Sequence, residues 1–118
     1  MTVVRAEHER GVTTLALDSP ATRNALSAVL VGELADALTR CGKDTDVRAV
    51  VLTHTGNTFC AGADLRDPPP PEAFVGLLRG IVELRKPVVA RVDGHVRAGG
   101  LGLLGACDIA AAGAAASF

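Results

Sequence analysis

Apolar and polar residues alternate over positions 2–8 and again over 12–17, the period of two that turns one face of a β-strand toward a core. Glu9-Arg10-Gly11 lies between the two segments, which read as a β-hairpin ended by Asp18-Ser19-Pro20. The period then changes. Apolar residues recur at Leu26, Val29, Leu30, Leu34, Ala37, Leu38 and Cys41, a spacing of three and four that marks one helix face. Ser27 suits the N-cap, and Gly42 falls just past the expected end. Positions 47–53 are apolar apart from Arg48 and suit a strand buried on both faces. A loop is expected over 54–67, stiffened by the prolines at 68–71. Phe74, Leu77, Leu78 and Ile81 define a second helix, stopped by Pro87. A buried strand over 88–92 turns at Asp93-Gly94, a short helix follows over 101–106, and a last strand over 109–112. The order β-β-α-β-α-β-α-β predicts an α/β fold, with parallel strands joined by crossover helices.

Composition narrows this picture. A chain of 118 residues makes one domain at most, and its 48% hydrophobic content suffices for a core. With Phe59, Phe74 and Phe118 as the sole aromatics, packing must rest on Val, Leu and Ala. A net charge of -1 gives no electrostatic case for nucleic acid or an anionic membrane as partner. Cys41, Cys60 and Cys107 form no CxxC pair, and the charged start lacks the pattern of a signal peptide, so a reduced, cytoplasmic protein is expected. The run 98–118 has membrane-spanning length, but Asp108 interrupts it and no Lys or Arg follows; burial in an α/β core accounts for its composition better.

Two glycine-rich loops carry the candidate chemistry. The first is Thr55-Gly56-Asn57-Thr58-Phe59-Cys60-Ala61-Gly62-Ala63-Asp64-Leu65; the second runs from Asp93-Gly94 through Ala98-Gly99-Gly100-Leu101-Gly102. Each follows a predicted strand, where α/β folds place their sites. Backbone N–H groups from two such loops can converge on one oxygen and stabilise negative charge developing there, the layout of an oxyanion hole. The first loop alone reads equally as an ordinary βα turn. The second could be taken for a phosphate loop, but neither GxxxxGK[ST] nor GxGxxG fits its glycines.

Four segments in order carry a resemblance: Pro20-Ala21-Thr22-Arg23-Asn24-Ala25-Leu26, the first glycine loop, Lys86-Pro87-Val88-Val89-Ala90-Arg91-Val92-Asp93-Gly94, and residues 98–108 closed by Cys107-Asp108-Ile109. Together they resemble the crotonase (enoyl-CoA hydratase/isomerase) superfamily over nearly the whole chain. The resemblance implies that residues 1–118 form the N-terminal part of a crotonase-like ββα spiral. It implies that the N–H groups of Ala63 and Gly99 hold a thioester oxygen, binding it better as enolate than as carbonyl. Ala61, Gly62, Asp64 and Leu65 match the segment lying along the adenine and pantetheine of coenzyme A. Arg23 matches a basic position near the CoA phosphates; it reads also as a solvated loop arginine. The implied partner is an acyl-CoA thioester, with coenzyme A as part of the substrate and no separate cofactor. Homo-oligomers, trimers or hexamers, are implied too.

Two departures bear on activity. Hydratases of the family carry a Glu three residues after the oxyanion glycine, where this chain has Gly102, which offers no acid or base. A second family Glu falls beyond Phe118, so a truncated homologue that binds acyl-CoA without turnover, or folds only as an oligomer, is the competing expectation. Asp64 and Asp67 are weaker candidates for a catalytic base, and His95, near the second loop, for a functional role. His54 reads as a satisfied structural histidine, Cys60 as packed, and Asp108 as a loop anchor. No cluster has metal-ligand spacing.

Overall fold

The computed structural model describes residues 2–118. A hairpin opens the chain: β1 (Val4–Glu9) and β2 (Val12–Leu17) pair antiparallel from Val4↔Leu17 to Glu9↔Val12. Glu9 therefore belongs to the strand, and the turn is Arg10-Gly11 alone. Both residues have positive φ, 52° and 84°, as a two-residue turn matched to strand twist requires. A short 3-10 turn over Pro20–Thr22 follows. Helix α1 (Ala28–Lys43) starts where its cap predicts, with Ser27 Oγ accepting from the Leu30 N–H at 3.0 Å.

Two helix details differ from the sequence pattern. Leu26 precedes the cap instead of belonging to the helix face, and Val29 is exposed, so the buried stripe is Leu30, Val31, Leu34, Ala37, Leu38 and Cys41. The helix also runs past Gly42 to Lys43. Its last carbonyls are met by Lys86, whose Nζ donates to Cys41 O at 2.6 Å and Asp44 O at 2.7 Å.

Strand β3 (Ala49–His54) pairs parallel with β2, and the short β4 (Thr58–Cys60) follows within the segment expected to be loop. Helix α2 (Pro71–Glu83) begins at the last of the four prolines, where a missing N–H costs nothing. It ends at Glu83, before Pro87, with Leu84 already extended. Strand β5 (Val88–Val92) is followed by β6 (His95–Val96), helix α3 (Gly99–Ala106) and β7 (Ile109–Ala112).

The large sheet has the order β1-β2-β3-β5-β7, parallel except for the hairpin. Its register aligns Thr13, Val50 and Val88 in one row and Leu15, Leu52 and Ala90 in the next, all buried. Leu30, Leu34, Leu77 and Ile81 of α1 and α2 are buried in the same core. β7 is the edge strand opposite β1, and all four of its residues are exposed, Ile109 by 61%. The burial expected for this alanine-rich stretch is thus not found: β7 pairs on one side only, with β5. Among the described residues no helix is long and apolar enough to cross a membrane, because 98–118 divides into α3, β7 and a terminal segment.

A second, two-stranded sheet positions the site. β4 and β6 pair parallel, with His95 N–H donating to Asn57 O at 3.0 Å and Arg97 N–H to Cys60 O at 2.9 Å. Strands of three and two residues are too short to show a period, so the sequence pattern gives no sign of either. This ladder joins the two glycine loops, one after each strand.

Candidate oxyanion site

A strap over 23–26 lies along the first loop. Ala61 N–H donates to Arg23 O at 3.1 Å, Leu26 N–H to Gly62 O at 2.7 Å, and Asp64 N–H to Leu26 O at 3.0 Å. The last two bonds flank Ala63 in a single parallel bridge with Leu26. A residue so flanked turns its own N–H away from its partner. The Ala63 N–H accordingly takes no part in the loop's backbone hydrogen bonds. Gly99 opens α3, and a first helical residue has no intrahelical acceptor for its N–H.

The loops touch immediately before each donor. Gly62 has φ +102°, and a Cβ there would lie 3.0 Å from the Ala98 Cβ. Gly99 is bounded by Leu26 and Phe74: a Cβ on it would sit 2.7 Å from Leu26 Cδ1 and 3.4 Å from Phe74 Cζ. The structure thus brings Ala63 and Gly99 to neighbouring positions with both N–H groups free of the loop ladder. α3 adds the positive end of its dipole at Gly99.

The approach to Gly99 is strained. Arg97 O accepts from the Gly100 N–H at 2.9 Å, closing a tight turn in which Ala98 has φ 48° and ψ -118°. That conformation belongs to glycine at the second position of a type II′ turn. Replacing Ala98 with Gly is expected to raise stability by about 1 kcal/mol, read as a higher thermal midpoint; a lower midpoint would contradict the strain.

Asn24 locks the strap. It is 0% exposed with φ 55°; its Oδ1 accepts from Ser19 N–H at 2.7 Å, and its Nδ2 donates to Thr58 O at 2.8 Å. A buried amide saturated by backbone groups fixes the strap to β4. Its role was not legible, because its partners lie five and 34 residues away.

Ala63, Asp64, Leu65 and Arg66 line an open cleft of about 300 Å³ with Thr22 and Ala25. Leu65 is 91% exposed there. The basic side chain in this cleft is Arg66; Arg23 borders a smaller hollow of about 30 Å³ with Asn24, Thr55 and Asn57. Asp64 Oδ1 accepts from the Arg66 N–H at 2.9 Å, so its carboxylate is engaged with its own loop. A larger open depression, about 770 Å³, is lined by His54, Arg91 and Asp93 and contains neither donor.

The remaining candidates are placed as follows. A Cβ at Gly102 would face Phe74 and Leu78, both at 3.7 Å, so the surroundings of this position are apolar. His95 Nδ1 lies 2.6 Å from Ser117 Oγ, and Asp67 is exposed. Asp108 Oδ2 accepts from the Val88 N–H at 2.8 Å, an anchor between β5 and β7. His54 is half satisfied: Nε2 accepts from the Asp93 N–H at 3.0 Å, while the buried Nδ1 has no partner. Burial pushes all three thiols up, Cys107 to about 11 with Asp108 adding to the effect, so none is a thiolate nucleophile near neutral pH. No group of three or more metal-ligating side chains gathers among the described residues.

The sequence and the fold are similar to those of known proteins. The family profile described as enoyl-CoA hydratase/isomerase matches residues 7–118. The enoyl-CoA hydratase EchA19 of Mycobacterium tuberculosis is 37% identical over 86% of this chain and 43% of its own length. The 4-chlorobenzoyl coenzyme A dehalogenase-2 of an Arthrobacter species is 34% identical over 98% of the chain and 46% of its own. Among solved structures, an enoyl-CoA hydratase from Mycobacterium avium superposes with a TM-score of 0.90 at 46% identity, over 98% of this chain and 49% of that one. The chain therefore spans about half the length of the relatives it matches. Its α/β arrangement is that of the crotonase fold. A profile match over all but the first six residues and a near-complete superposition show that the chain belongs to the enoyl-CoA hydratase/isomerase family.

Proposed function

We propose that this protein binds an acyl-CoA thioester and stabilises its enolate between the N–H groups of Ala63 and Gly99. One observation carries the reading: two donors, each outside its loop's hydrogen-bond ladder, stand on loops that touch at Gly62 and Ala98. Donors fixed in advance stabilise developing charge without reorganising. The CoA moiety would lie along Ala61, Gly62, Asp64 and Leu65, with Arg66 in the same cleft and Arg23 at its flank meeting phosphates. No separate cofactor is needed, since coenzyme A arrives with the substrate. The relatives' names support the substrate class: a hydratase and a dehalogenase, both named for a CoA substrate.

The ensuing step would be hydration or isomerisation of an enoyl-CoA in acyl-CoA metabolism. Gly102 favours a second reading, that residues 1–118 bind and polarise the thioester without turning it over. The position has no side chain and its neighbours are apolar, so no proton is given or taken there. Assembly as a trimer or hexamer and a cytoplasmic location belong to the same proposal; three free thiols support a reducing compartment.

Titration with acetoacetyl-CoA tests the proposal, because the enolate of this β-keto thioester has its own near-ultraviolet band. Saturable binding with growth of that band is expected. A folded sample that neither binds nor shifts the ligand toward enolate would refute it. Binding without hydration of a 2-enoyl-CoA would select the second reading.

A further inference from the structure

Leu26 lies outside every role assigned above, yet it touches both loops. Its side chain is 3% exposed. Its N–H and C=O bond Gly62 O and the Asp64 N–H at 2.7 and 3.0 Å, holding Ala63 between them. Its Cδ1 is wedged against Gly99, 2.7 Å from where a Cβ would be. One residue thus grips the first loop by its backbone and the second by the tip of its side chain.

We infer that Leu26 is a positioning residue that sets the separation of the two amide donors; this rests on the reading of Ala63 and Gly99 as those donors. The physical argument is steep distance dependence. Two N–H groups stabilise one oxygen only if both lie about 2.7–3.1 Å from it. A misplacement of about 1 Å costs on the order of 100-fold in rate. Besides the contacts of Gly62 with Ala98 and of Gly100 with Cys60, the span between the loops is crossed in two ways. The β4–β6 ladder fixes their bases at Asn57–His95 and Cys60–Arg97. Beyond that ladder, the Leu26 side chain reaches from the bridge at Ala63 to Gly99. Shortening it leaves the backbone bonds to Gly62 and Asp64 intact, so Ala63 stays in place. Gly99 loses the contact on the Leu26 side and keeps the one to Phe74. The close approach also accounts for glycine at 99: a Cβ would push Leu26 aside and change the same separation.

Leu26 touches no reacting atom on this account, so a purely structural role must be told apart from a positioning one. A buried leucine far from the loops supplies the comparison. Leu34 in α1 is fully buried and is not among the atoms nearest any loop glycine. The readout is the enolate fraction of acetoacetyl-CoA at saturation, measured with the affinity for coenzyme A alone and the thermal midpoint. Leu26→Val is expected to lower the ratio of enolate to keto form about tenfold, less than the full loss of a donor. Its affinity for coenzyme A should stay at the wild-type value. Leu26→Met, which keeps the reach of the side chain, should restore most of the enolate. Leu34→Val should lower the midpoint and leave the enolate fraction unchanged.

An unchanged enolate fraction in folded Leu26→Val overturns the inference, as does an equal fall in Leu34→Val. Should Leu26→Val not fold, Leu26→Ile, equal in volume but branched at Cβ, makes the same comparison. Absence of enolate with the wild-type chain would instead strike the donor reading itself, and Leu26 with it.

Discussion

Alanine at position 94 is expected to destabilise the fold by about 3 kcal/mol, the upper part of the range for forcing atoms into a packed interior. For a domain of this size that lowers the thermal midpoint by roughly 10–15 °C. Gly94 does not hold a positive φ, so the reason is space and not backbone freedom. A Cβ there would press into the backbone carbonyl of Asn57 and lie 3.0 Å from His54 Cε1. The Asn57 carbonyl cannot rotate away, because it accepts the His95 N–H that opens the β4–β6 ladder. Relief therefore requires the two glycine loops to separate. Thermal unfolding followed by circular dichroism checks the magnitude. A Gly102→Ala variant gives the contrast: its Cβ would meet Phe74 and Leu78 at an ordinary 3.7 Å. A Gly94→Ala chain that melts with the wild type would show that the ladder yields easily and does not fix the loops.

The parts of this fold that were legible in the sequence are those whose cause is local. The hairpin follows from alternation and from a turn that needs two positive φ angles. α1 follows from a buried stripe at helical spacing and from a serine whose hydroxyl meets an N–H three residues on. The glycine loops could be read because close backbone approach leaves glycine as its trace. What was missed has its cause far along the chain. β4 and β6 pair with each other, 35 or more residues apart, and neither is long enough for a period. Leu26 fits the apolar spacing of α1 so well that it was counted with it, although its contacts are to Gly62, Asp64 and Gly99. Arg66 is one charged residue among several until the fold sets it beside Ala63. The exposure of β7 ran against expectation because an alanine-rich run suits a buried strand. Its burial depends on what lies beside it, which composition does not encode.

Proline at position 63 is expected to remove most of the proposed enolate stabilisation while leaving the fold in place. The substitution deletes one N–H and little else. The bridge to Leu26 uses the Gly62 carbonyl and the Asp64 N–H, and both survive. Residue 63 is exposed, so the ring has room on the solvent side. Its φ is not positive, so the backbone there is not one that proline's ring forbids outright. Loss of one donor of a pair typically costs about 3 kcal/mol, or on the order of 100-fold in rate. The same differential energy applies to an equilibrium between keto and enolate forms of a bound thioester, since only the enolate presents a full negative charge to the donors. The enolate band of acetoacetyl-CoA should therefore shrink by about two orders of magnitude in the ratio of enolate to keto form. Affinity for coenzyme A alone should change little, because the proposed role of the Ala63 N–H is to meet the thioester oxygen and not the nucleotide. If the variant keeps its melting temperature and its enolate band together, the Ala63 N–H is not a donor. If both ligands are lost from a folded variant, position 63 contributes to CoA binding as a whole and not to charge at one atom.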